Sequence, residues 1–357
     1  MCRLTEAISA HHNHSKKTMP NEAAWIEEPK AALKVGPAEL YEPGPSDLLI
    51  KIESIGLVPL DWKIQKFNFV PLPFPNILGN SYAGVVEKVG GDVSGFKPGD
   101  RVVSARPGWN IQDLRYSAFQ KYVLASPAKT AKLDSKTSFD DAAGTLVNLA
   151  TVVSALGVFL KIGGPTQTRA QNVGKKILVY SGSSSVGGYA VQYALQSGYT
   201  VITTSSPKNM ALVKKYGADH IVDHTQPEEA IIKELKAHGP FDHVFDAAGV
   251  PASDKIIGQT LAGTEGVFYT VAAAYKGELP QGVERRAYNY PAELEKDENE
   301  ELRKWFLSEY LPEGLSTGKI VPTPVEKVPG GLGAVQEGLD RVAGGVSGKK
   351  LVINPWE

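Results

Sequence analysis

The strongest constraint on the fold lies between Lys175 and Met210, KKILVYSGSSSVGGYAVQYALQSGYTVITTSSPKNM, where an apolar strand pattern passes through a glycine-and-serine turn into an apolar helix and a second strand. The rhythm then repeats. Helical patterns at 186–196, 209–216 and 228–237 alternate with the strand-like runs YTVITT, DHIVDH, FDHVFDAAG and GVFYTVAAA. Strands separated by helices of about 10–13 residues predict parallel βαβ units and a doubly wound α/β sheet. Residues 23–145 differ in texture. Their runs DLLIKIESIGL, YAGVVEKVG, DRVVSA and FQKYVLAS are short and broken by Pro and Gly, the pattern of a compact, mostly β domain. The chain ends in SGKKLVINPWE, which reads as one more strand, and no internal repeat is visible.

The turn Gly182, Ser183, Ser184, Ser185, Val186, Gly187, Gly188 follows the first strand of this rhythm and opens its helix. A helix N-terminus presents unpaired N–H groups and the positive end of its dipole, and small residues let a pyrophosphate approach the backbone. The dinucleotide pattern G-x-G-x-x-G is incomplete, because Ser184 takes the middle glycine position. An ordinary tight turn is the alternative. The next strand end narrows the choice. NAD-selective folds place an acid about 20 residues on, to bind the ribose 2′-hydroxyl, yet no acidic residue occurs from Ser181 to Ala218. The strand runs out instead into Ser205, Ser206, Pro207, Lys208 and Asn209, which suit a 2′-phosphate. NADPH is therefore expected over NADH.

Other classes are excluded more simply. A formal net charge of −1 argues against a general polyanion binder, so no nucleic-acid partner is expected. The single cysteine, Cys2, permits no internal disulfide and suits a reducing compartment. No run approaches the about 18 consecutive apolar residues of a membrane span, and the first residues lack the apolar core of a signal peptide; a cytoplasmic protein without a membrane partner is expected. Residues 1–22 are read as a disordered tail, with translation from Met1 or from Met19 both open. Its His11, His12 and His14 are incidental or a weak metal-binding tract. Zinc enzymes that oxidise alcohols use cysteine and histidine ligands, and between Ser15 and Asp219 the chain has neither. No metal site is expected.

The sequence resembles the medium-chain dehydrogenase/reductases. SIGLVPLDWK (Ser54–Lys63), ILGNSYAGVVEKVGGDVSGFKPGDRV (Ile77–Val102) and YGADHIVDH (Tyr216–His224) match that family's segments in order. Within it, the chain is most similar to the zinc-free quinone-reductase and enoyl-reductase branch, above all to fungal trans-acting enoyl reductases of polyketide pathways; LRKWFLSEYLPEGLSTGKIVPTPVEKVPGG and VSGKKLVI carry that likeness. Where the zinc-dependent branch has a cysteine stand Gly56 to Val58, and where it has Gly-His-Glu stand Gly79, Asn80 and Ser81. The resemblance implies a GroES-like, mostly β catalytic domain over 23–150 and 324–357, with a Rossmann NADP-binding domain over 151–323.

It implies as well an NADPH-dependent reduction of the C=C bond of an α,β-unsaturated carbonyl: an enoyl thioester, enone or quinone, free or carrier-bound, with a polyketide synthase as a candidate partner. Carried over by position, Pro59, Asp61 and Lys63 lie beside the nicotinamide and Thr151 near the pyrophosphate or its ribose. Ser184, Ser185, Val186 and Gly187 form the diphosphate turn, and Ser206, Lys208 and Asn209 meet the 2′-phosphate. Lys350 and Leu351 return near the nicotinamide. His224 stands where the group often has a tyrosine near the adenosine. Lys63 is the candidate proton donor or oxyanion partner, with Asp61 beside it as a second catalytic candidate, although Asp61 equally suits an N-cap of a helix starting near Trp62. Phe67, Trp109, Tyr116 and Tyr269 are either channel-lining or core aromatics, and Leu302, Trp305, Phe306 and Tyr310 recur at the spacing of a buried helix face. A non-catalytic NADPH-binding sensor and a zinc-free carbonyl reductase stay open at this point.

Overall fold

The computed structural model describes residues 21–108, 112–164, 169–271 and 277–357. Most of the expected tail, with its histidines, lies outside them. Asn21 and Glu22, assigned to that tail from sequence, instead open the strand Asn21–Ile26.

Each half follows its sequence texture. The six strands of the second half form one parallel sheet, in the spatial order His220–Asp223, Thr200–Ser205, Lys176–Tyr180, His243–Asp246, Val267–Thr270, Glu284–Ala287. Counted along the chain this is third, second, first, fourth, fifth, sixth, the order of a dinucleotide-binding fold. Helices cover both faces, so Ile177, Leu178 and Val179 are all fully buried. A continuous apolar run is what such a doubly covered strand requires.

The first half is antiparallel except where Val325–Lys327 runs parallel to Lys350–Ile353. Leu48–Gly56 pairs with Ser81–Val89, with Tyr122–Ala125 and with the returning strand Lys350–Ile353, within a seven-stranded sheet. Asn21–Ile26 lies in a separate three-stranded sheet with Lys34–Ala38 and Asn76–Ile77. The return is a full strand addition: Lys350–Ile353 sits between Val325–Lys327 and Leu48–Gly56. Residues from the far end of the chain are thereby brought beside Gly56.

One helix joins the halves. Ser138 caps Phe139–Val152, its hydroxyl accepting from the Asp141 N–H at 3.0 Å, and the helix widens into a π-helical stretch over Val153–Phe159. By length and apolarity Phe139–Phe159 could cross a bilayer. Here it is core: Leu146, Leu149, Val152 and Val153 are buried in one cluster with Ile177, Val179 and Tyr189. Burying each large side chain contributes about 1.5–3 kcal/mol, so this helix fixes how the two sheets meet. The segment with Leu302, Trp305, Phe306 and Tyr310 packs on the same cluster, as its helical spacing predicts.

Candidate active site

Between the halves runs a cleft with two ends of different chemistry. At the first, the turn after Lys176–Tyr180 is built by steric necessity. Ser181 adopts a left-handed backbone (φ 71°), and its N–H donates to Thr204 Oγ1 at 2.8 Å. Ser184 is the N-cap of the helix Ser185–Gln196: its Oγ accepts from the Gly187 N–H at 3.0 Å and donates to the Ser181 carbonyl at 2.8 Å. A Cβ at Gly187 would stand 2.0 Å from the Ser181 carbonyl oxygen, and one at Gly182 would stand 2.3 Å from Thr203 Oγ1. Neither glycine can be replaced without moving the turn.

This end is a cleft of about 640 Å³ lined by Ser181, Ser183, Ser184, Ser206, Lys208, His224 and Thr225, together with the 346–348 loop. No carboxylate lines it. The adjacent Asp223 is held aside, its oxygens accepting from Thr225 and Gln226. A helix N-terminus, several serine hydroxyls and a lysine make a surface suited to phosphate. Asn209 does not open onto it; its amide donates to Ser347 Oγ at 2.8 Å and ties the two halves together.

At the second end, a cavity of about 480 Å³ is lined by Pro59, Lys63, Thr151, Ser184, Ser185, Val186, Lys350 and Leu351 among others, and shares Ser184, Val346 and Gly348 with the first. Nearly all the residues expected from sequence therefore border one groove. Their roles in it differ. Lys63 is exposed on the helix Pro59–Phe67, at the cleft edge. Thr151 spends its hydroxyl on the Val147 carbonyl one turn back, at 2.9 Å.

Asp61 corrects the sequence reading. The helix starts at Pro59, not near Trp62, so Asp61 is its third residue and not its N-cap. Its carboxylate reaches back to the Val58 N–H at 3.2 Å and accepts from Asn80 Nδ2 at 2.6 Å. It is fully buried. Burial pushes its pKa up to about 6, against the pull of Asn80, the Val58 N–H, Lys350 and Arg106. Lys350 is buried as well, and desolvation pulls it down to about 8 although Asp61 holds it up.

Beyond Leu60, Val147, Asn289 and Pro291 the groove continues into a smaller interdomain cavity of about 100 Å³. Leu146, Leu294, Phe306 and Leu307 give it apolar walls, and Asn80, Arg106, Lys129 and Glu295 its polar groups. Arg106 is only 6% exposed; it donates to the Asp113 carbonyl at 3.2 Å, and burial lowers its pKa to about 10. Glu295 crosses between the halves, pairing with Lys129 and accepting from the Gly108 N–H at 3.0 Å. Sequence reasoning passed over Arg106, Lys129, Asn289 and Glu295, which stand in no recognisable motif. Among the proposed channel aromatics, Phe67 is 56% exposed and Tyr116 donates to Asp47, while Tyr269 borders a separate cavity with Phe159 and His243. Trp109 lies outside the described residues.

A metal does not fit the residues present. Ser81 Oγ donates to the Ala143 carbonyl at 2.7 Å, Asn80 is bound to Asp61, and Gly56 to Val58 carry no donor side chain. Among the described residues no group of three His, Cys, Asp or Glu side chains could hold an ion.

Comparison with known proteins agrees with this architecture. Residues 44–135 match the alcohol dehydrogenase GroES-like domain and residues 185–283 the zinc-binding dehydrogenase family. The chain is 32% identical over 339 residues to trans-enoyl reductase himH of Aspergillus japonicus, covering 93% of this chain and 97% of that protein. It is likewise 32% identical over 349 residues to trans-enoyl reductase tndF of Aspergillus flavipes, covering 93% and 98%. A quinone oxidoreductase from Coxiella burnetii has the same fold, with a TM-score of 0.71 at 23% identity over 94% of this chain and 99% of that one.

Proposed function

The chain belongs to the medium-chain dehydrogenase/reductases, in their enoyl-reductase branch, and from that premise we propose that it uses NADPH, without zinc, to reduce the C=C bond of an α,β-unsaturated carbonyl. The observation that carries this reading is the continuity of the groove. An acid-free end bearing Lys208 leads through the Lys350 cavity into an apolar chamber with buried cationic groups.

Bound there, the reduced nicotinamide supplies the hydride. The protein does the rest. Ser184, Ser185, Val186 and Gly187 would hold the diphosphate at the helix N-terminus, with Ser206 and Lys208 on the 2′-phosphate and His224 beside the adenosine. Asn209 fixes the loop that closes over them. Pro59, Thr151, Lys350 and Leu351 would flank the nicotinamide, with Lys63 at the cleft edge and Asp61 beneath. Leu146, Leu294, Phe306 and Leu307 exclude water, which strengthens every charge interaction as negative charge develops on the substrate carbonyl. The trans-enoyl reductases it resembles favour an acyl thioester delivered by a carrier of a fungal polyketide synthase, and we place the protein in the cytosol, where one cysteine and no disulfide suffice.

The test is cofactor oxidation with a panel of α,β-unsaturated thioesters, enones and quinones, with products identified by mass spectrometry and by proton NMR, which tells a saturated carbonyl from its isomeric allylic alcohol. The expected result is a saturated product two mass units heavier, with NADPH preferred to NADH by about tenfold or more, the worth of one charge-assisted hydrogen bond. An alcohol product would make the protein a carbonyl reductase. Tight NADPH binding without turnover on any acceptor would favour the sensor.

A further inference from the structure

Lys350 is the one buried lysine among the described residues. It is 95% buried, its side chain lines the cleft, and it makes no hydrogen bond or ion pair with any described residue. An ammonium so placed has given up most of its water without a hydrogen bond in return, and Asp61 acts on it only through space. The fold nevertheless holds its stem firmly. Its N–H donates to the Pro324 carbonyl at 2.8 Å, and the next residue's carbonyl accepts from the Leu57 N–H at 3.1 Å. A Cβ on Gly144 would stand 3.1 Å from Lys350 Cγ, so glycine in the connecting helix leaves the lysine its passage. The charged groups around it are few. Asp61 faces it from the helix Pro59–Phe67 with Arg106 behind, and the cleft adds Lys63 and Lys349, the latter paired with Glu326.

We propose that the Lys350 ammonium is the general acid of this site, giving its proton to the α-carbon of the substrate once hydride has reached the β-carbon. The assignment rests on the ene-reduction reading above. Hydride from the reduced nicotinamide forms the β C–H bond, and the C=C electron pair moves onto the carbonyl as an enolate. As the enolate collapses, a Lys350 N–H bond breaks and the α C–H bond forms. The neutral amine then regains a proton from solvent; the electron pair that left the nicotinamide with the hydride stays in the new β C–H bond, and the cofactor is released oxidised.

The neighbours are less suited. Both Asp61 oxygens are occupied, by the Val58 N–H and by Asn80, and Asp61 does not line the cleft. Thr151 donates to its own helix, Lys63 is exposed, and Arg106 stays charged at neutral pH. Burial brings Lys350 to about 8, so it is protonated at neutral pH yet releases its proton at small cost.

Two measurements test this. In a carbon-13 NMR titration of the lysine Cε resonances of the full chain, one resonance should titrate near pH 8 and be missing from K350M. If every lysine titrates near 10.5, the assignment is overturned, whether or not K350M folds. In the second, K350M held at saturating NADPH should reduce an α,β-unsaturated thioester with kcat lowered about 100-fold or more. Reduction in D2O should label one face of the α-carbon in the wild type and both faces in the residual product of K350M. K350M with wild-type kcat and facial selectivity overturns the assignment alone. A wild type inactive on every thioester, enone and quinone overturns the ene-reduction reading and the assignment with it.

Discussion

The two ends of the cleft are built by opposite means. The serine-and-lysine end takes most of its polar groups from two short stretches, 181–184 and 206–208, each following a parallel strand, with His224, Thr225 and the 346–348 loop completing it, and its lysine stands in solvent. The other end draws on Val58 to Asp61, Asn80, Arg106, Gly144 and Lys350, nearly the whole length of the chain, and Asp61, Arg106 and Lys350 are buried there. Surface charge is screened and buried charge is not. A charge at the first end therefore costs little stability, whereas the buried Asp61 and Lys350 at the other weigh on folding.

The largest expected effect removes the buried carboxylate. Asp61→Ala leaves Lys350 without its facing carboxylate and orphans the Asn80 amide and the Val58 N–H, so stability should fall by about 3–5 kcal/mol in urea denaturation near neutral pH. The pH dependence has a definite sign. Asp61 is raised from 3.8 to about 6, so the unfolded chain releases that proton first and stability falls as pH rises from about 4 to about 6. Lys350 is lowered from 10.5 to about 8, so the native state releases its proton first and stability rises from about 8 to about 10.5. Subtracting the melting curves of the Asp61→Asn, Lys350→Met double variant should expose a trough between pH 6 and 8. A flat difference would mean the pair is not strained by burial.

A smaller effect tests the other end by its backbone. Gly187→Ala forces a Cβ against the Ser181 carbonyl; about 1–3 kcal/mol of stability should be lost, with NADPH and NADH binding weakened together. The smallest isolates a single charge. Lys208→Ala should leave the melting temperature unchanged and weaken NADPH about tenfold while sparing NADH, with the difference shrinking at high salt. Equal losses for both cofactors would deny Lys208 its contact with the 2′-phosphate.

Legibility in the sequence followed the same division. The strand-turn-helix of 176–196 and the acid-free stretch 181–218 could be read directly because each is local: a handful of consecutive residues sets the backbone and charge of one strand end. Lys63 and Lys350 both border the groove, but nothing in their neighbours along the chain tells which is exposed and which buried. Asp61 was placed on the right helix with the wrong start, since Pro59 fits the first turn as well as Asp61 fits a cap. Arg106 and Glu295 went unread because their neighbours across the cavity lie far off in the chain.

The sequence by itself determined the two-part architecture, the glycine-and-serine turn that opens a helix, the lack of cysteine and histidine between Ser15 and Asp219, and a second strand end that carries a lysine and no acid. Hydrophobic periodicity and residue chemistry act over a few positions, so they survive in one dimension. Only the tertiary structure decided that Asp61, Asn80, Arg106 and Lys350 share one desolvated corner. That corner exists because the last strand pairs beside Leu48–Gly56 and the 139–159 helix closes over it, and burial changes a charge only once distant segments have displaced the water around it.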